Sequence, residues 1–111
     1  MTPLELLEDI AKEVSNHTSD PHWLGEKRVD LGGLYSFFSG ELERVLFLKP
    51  DEWNALRLNT KSDKQADKLW EATEAGKKEV ILRMRLKRIE KLLSSMRTMI
   101  EILTNEARNQ Q

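Results

Sequence analysis

Eight apolar positions near the C-terminus restrict this chain more than any other feature. Leu82, Leu86, Ile89, Leu93, Met96, Ile100, Leu103 and Ala107 recur in alternating steps of four and three. That is a heptad seam, the signature of helices packed at a shallow angle. Within it, Leu82 to Lys87 also alternates apolar and basic, the period of a strand. The strand pattern covers six residues and the seam covers 26. Gly and Pro are absent from Lys77 to Gln111, and good helix formers dominate there. The spacing predicts one helix over about residues 77–107, on the order of 45 Å long at 1.5 Å per residue.

A helix of that length does not fit comfortably inside a compact globule of 111 residues, whose radius of gyration is about 13 Å. The expectation is therefore a single all-α domain over residues 1–111. Residues 1–29 form an N-terminal helix and loop, and residues 30–107 an elongated helical hairpin core that joins an oligomeric bundle.

The rest of the chain supplies the partners. Thr2-Pro3-Leu4-Glu5 reads as a capped helix start, with Leu4, Leu7, Ala11 and Val14 as its stripe and an end near Ser15. SNHTSDPHW, residues 15–23, reads as a polar loop with a proline stop. Asp30 reads as the cap of a second helix over about 31–48, with Leu31, Leu34, Phe38, Leu42 and Val45 on its buried face. Lys49-Pro50 reads as its end, because the residue before a proline is biased away from helix. DEWNALRLN reads as a short helix, and Ser62 with Gln65 as a capping box opening a segment through Trp70. Continuity through Thr73–Gly76 is left open.

Charge is distributed unevenly. Lys77, Lys78, Arg83, Arg85, Lys87, Arg88, Lys91 and Arg97 face only Glu79 and Glu90, so this segment carries +6 and the remainder −7 of a net −1. Such asymmetry points either to an anionic ligand or to pairing with the acidic helices. On the first reading the candidate single-strand nucleic-acid contacts are Arg57, Lys61, Lys77, Lys78, Arg83, Arg85, Lys87 and Arg88. On the second, Glu41, Glu43 and the acidic first helix neutralise the basic run. Trp23, Trp53 and Trp70 divide in the same way, between packing and base stacking.

Catalysis has no support. Glu5, Glu8, Asp9 and Glu13 line a solvent face, the serines have no base motif near them, and Gly32-Gly33 is not a phosphate-cradling loop. His17, Asp20 and His22 lack a fourth ligand of obvious identity, so the histidines read as surface residues, and no cofactor or metal is expected. No small-molecule substrate is implied. There is no cysteine, no basic-apolar leader and no apolar run long enough for a membrane. A cytoplasmic setting and no membrane partner are the expectation.

The segments LYSFFSGELERVL, WNALRLNTK and SDKQADKLW, followed by a long amphipathic C-terminal helix, resemble the small helical recombination mediator proteins of tailed phages, the UvsY type. The resemblance covers about residues 30–107. It implies DNA binding by the basic-aliphatic segment, here Arg57 and Lys61, and assembly of a homo-oligomer through the C-terminal helix. It also implies partnership with a recombinase or single-strand binding protein in the host cytoplasm, to load recombinase onto single-stranded DNA in recombination and replication. The chain departs from that pattern in placing its densest basic cluster in the last helix. The alternative class is a small helical structural or inhibitory module that docks on a protein without nucleic acid.

Overall fold

Two long helices carry this chain, and the reasons for their ends lie in single residues. The computed structural model describes residues 1–109. Helix α1 spans Pro3–Glu13 and is followed by a 3-10 turn, Val14–Asn16; α2 spans Pro21–Leu58, α3 Asp63–Ala72 and α4 Glu74–Asn109. Every regular element among the described residues is helical, as the seam predicts.

Thr2 caps α1 by accepting from the Glu5 amide at 3.1 Å. Ser62 caps α3 in the same way, accepting from Gln65 N at 3.2 Å. The Gln65 side chain reaches back one residue further than a capping box requires, to Lys61 N at 3.0 Å.

Helix α2 corrects the sequence reading twice. Pro21 starts the helix rather than stopping one, because a proline's missing N–H is harmless at the first position. Asp20 is the cap, accepting from Trp23 N at 3.1 Å. Asp30 lies inside α2 and pairs with Lys27 at 3.5 Å. Pro50 also lies inside α2, so the two predicted helices on either side of it are one. Packing overrides the local proline bias here: Leu24, Leu31, Leu34, Phe38, Leu42 and Val45 are all buried along a single face.

The α3–α4 break is a steric necessity. Thr73 is extended, with φ −72° and ψ 159°. Its hydroxyl donates to the Trp70 carbonyl at 2.6 Å and accepts from Gly76 N at 3.0 Å. A Cβ at residue 76 would stand 1.9 Å from that same carbonyl oxygen, so only glycine lets the two helices meet here. Helix α4 accordingly begins three residues before the predicted start.

The chain forms two compact units. The first joins Met1–Phe37 to the chain from Lys87 onward. Its core is Leu7, Ile10, Leu24, Leu31, Leu34, Ile89 and Met96, with Leu93, Ile100 and Leu103 of the seam half-buried. Glu8 accepts from both Arg88 guanidinium ends, at 2.9 and 3.3 Å. Tyr35 donates to Glu90 at 3.1 Å. That hydrogen bond and the carboxylate charge raise the phenol above its ordinary value.

The second unit is Phe38–Leu86. Phe38, Leu42, Val45, Ala66, Trp70, Leu82 and Leu86 are buried in it. Arg85 lies over the Phe38 ring at 5.4 Å, Lys78 reaches Glu41 at 3.3 Å and Lys49 reaches Glu79 at 3.0 Å. Phe38 meets Arg85 and Glu41 meets Lys78, so α2 and α4 run antiparallel here.

Candidate nucleic-acid interface

Which cations face solvent is decided by where the carboxylates sit. In the second unit Glu79 is 9% exposed, and three donors converge on it. Trp70 Nε1 and Lys49 Nζ both reach Oε1 at 3.0 Å, and Arg83 Nε reaches Oε2 at 3.0 Å. Lys49 also stands 5.5 Å from the Trp70 ring centroid. Burial alone would push the Glu79 carboxyl up. The hydrogen bonds from Lys49, Arg83 and Trp70 outweigh it and hold the group below its ordinary value. This cluster clamps α2, α3 and α4 together, so Arg83 serves structure.

Four further predicted contacts are engaged within their own unit. Lys78 pairs with Glu41, Arg85 stacks on Phe38, and Arg88 forks onto Glu8. Arg57 donates to Asp63 at 2.7 Å and to the Thr60 carbonyl at 3.0 Å, which fixes the turn between α2 and α3. Lys61 and Lys77 of the second unit, and Lys87 of the first, are exposed and make no ion pair.

Around Lys61 the structure adds two residues that the sequence reading omitted. Lys64 and Lys68, four apart, lie on the side of α3 away from buried Ala66 and Trp70. Both are exposed and without an ion pair. Asp63 is ion-paired with Arg57, and Asp67, which keeps its charge, accepts from Trp53 Nε1 at 2.8 Å. Leu58, 87% exposed, ends α2 beside this turn. The signal available in the sequence was the Lys61, Lys64, Lys68 spacing in KSDKQADK. The interleaved aspartates mask it as a near-neutral stretch, and only Asp63 proves to have a cationic partner elsewhere.

The tryptophans are mainly packing residues. Trp70 is 3% exposed. Trp23 stacks on His17 with centroids 4.3 Å apart and planes 8° apart. Trp53, half-buried, is tied by its indole N–H to Asp67. Among the described residues no group of three or more His, Asp or Glu could hold a metal, and no helix is long and apolar enough to cross a membrane.

Apolar surface is left over in the second unit. Phe47 (84%) and Leu48 are exposed on α2, and Val80, Ile81 and Met84 (64%) on α4. In the first unit Ile102 is exposed, while Leu92 and Met99 are half-buried. No family model matches the chain, and no curated protein or solved structure does either.

Proposed function

We propose that this chain is a non-catalytic, self-associating helical protein that holds single-stranded DNA by its phosphates, in support of recombinase loading. Lys61, just before α3, with Lys64 and Lys68 on α3 makes the contact. One observation carries the reading: Lys61, Lys64 and Lys68 are exposed and make no ion pair, Asp63 between them being engaged by Arg57. Unpaired cations attract phosphate and release its counterions. Lys61 ends the basic-aliphatic segment that the phage-mediator resemblance marks for DNA, and Lys64 and Lys68 follow it directly, which supports the role in recombination. Lysine contacts to phosphate carry no base information, so binding is indifferent to sequence. Repetition of a three-lysine site around an oligomer multiplies weak contacts into useful avidity. Anisotropy of a labelled oligo-dT tests this. Binding is expected at low salt and is expected to fall steeply between about 50 and 200 mM salt. No binding at low salt would exclude the reading.

A second reading has its own observation. The pairs Arg88–Glu8 and Lys78–Glu41 show acidic helices drawing on the basic run, as a protein-docking module without nucleic acid would require. Its partner affinity, resting on apolar area, would change little over the same salt range.

A further inference from the structure

Pro50 leaves a mark on the surface of the second unit. A proline has no amide to give the carbonyl four residues back, so the Leu46 carbonyl lacks its usual helical donor. Around that turn lies an open pocket of about 350 Å³, lined by Leu46, Lys49, Pro50, Trp53, Asn54 and Asp67. The α2 members recur three and four residues apart and so share one side of the helix. Asp67 borders the pocket from α3. The Trp53 indole N–H donates to Asp67 Oδ1 at 2.8 Å, which fixes the ring, and the residue is only half-buried. Lys49 is engaged by Glu79 at 3.0 Å. Asn54 is exposed, and its side chain makes no hydrogen bond within the chain.

We infer that this pocket takes one unpaired base of the strand whose phosphates lie on Lys61, Lys64 and Lys68; the inference rests on the DNA reading above. The lining suits a base and not a phosphate. Its one cation, Lys49, is engaged by Glu79, and Asp67 keeps its negative charge, so a phosphate meets repulsion there. A base is neutral and offers what the lining can use. Its flat face stacks on the Trp53 indole, and its N–H edge meets the acceptors of Asp67, Asn54 and the Leu46 carbonyl. All four bases carry a π-face and at least one N–H donor, so the pocket does not select among them. Placement agrees with chemistry. Lys64 stands one turn before Asp67 on α3, and Lys68 stands next to it, so a strand held by the lysines runs past the pocket. A backbone held by cations with bases stacked on an aromatic ring is the recurrent design of single-strand sites.

An abasic strand separates the base contact from the phosphate contact, because it keeps every phosphate and loses the bases. By anisotropy at low salt, wild type is expected to bind a labelled abasic strand about 5- to 100-fold more weakly than oligo-dT of equal length, the range for one stacked base. The salt slope should be alike for both strands, since the phosphate contacts are unchanged. Two variants place the effect at Trp53. Trp53→Phe and Trp53→Leu both lose the hydrogen bond to Asp67, and only phenylalanine keeps a ring. At matching helical circular dichroism, Trp53→Phe should retain most of the preference for oligo-dT and Trp53→Leu should abolish it. If wild type binds the abasic strand as tightly as oligo-dT, or Trp53→Leu keeps the full preference, the pocket holds no base and the phosphate contact stands without it. If wild type binds neither strand at low salt, both readings fail.

Discussion

Gly76 and Glu79 show how much one position can hold. Gly76 has no room for a methyl group beside the Trp70 carbonyl, and the atoms it would strike are backbone, which cannot swing aside. Gly76→Ala should therefore destabilise the chain by about 1–3 kcal/mol, the range for forced overpacking. Thermal melting followed by circular dichroism should show the midpoint falling by about 5–15 °C; an unchanged midpoint would mean the junction is not tight. Glu79 acts differently. Its carboxyl is held below the ordinary 4.5, so its contribution is present above that value and is lost as pH falls through the lower folded one. Glu79→Gln should cost about 1–2 kcal/mol at neutral pH, the partly exposed Lys49 and Arg83 recovering some hydration. In urea titrations at successively lower pH the gap between wild type and variant should close. A gap that widens in acid would contradict the clamp.

At the scale of elements, α2 is the informative case. Pro50 gives no N–H to the helix it interrupts, yet α2 continues to Leu58. The helix is carried by its buried face and, past the proline, by the Trp53–Asp67 and Arg57–Asp63 ties to α3. Pro50→Ala restores a backbone donor and loses some stiffness of the unfolded chain, with an expected net gain of about 1–2 kcal/mol in a urea titration. A loss would show that the proline is needed where it is. The same helix marks what was legible beforehand. The α4 seam could be read because its pattern repeats for many turns, and Leu31 to Val45 because the apolar spacing is regular. Proline and aspartate signals misled at residues 20, 21, 30 and 50, since each can start, stop or sit within a helix depending on tertiary packing. Candidate cations were legible as a cluster. Which of them stay unpaired was not, because Glu8 and Arg88 lie 80 residues apart and nothing local announces their meeting.

For the molecule as a whole, exposed Phe47 on α2 and Val80 and Met84 on α4 are the apolar residues that support the proposed self-association. Light scattering should give a mass above 12.9 kDa at micromolar concentration. A strict monomer would contradict self-association. DNA binding is the central claim, and the slope of log affinity against log salt tests it most directly. Single-strand contacts contribute about 0.7 to that slope for each phosphate neutralised. Lys61→Ala/Lys64→Ala/Lys68→Ala should therefore reduce the oligo-dT slope by about 2 for each site occupied, at unchanged helicity and oligomer mass. Lys87→Ala/Lys91→Ala, altering the exposed side of α4 in the first unit, serves as the comparison and should leave the slope as it is. If the triple variant keeps the wild-type slope, or only the α4 variant lowers it, the DNA does not lie on Lys61, Lys64 and Lys68 and the account fails.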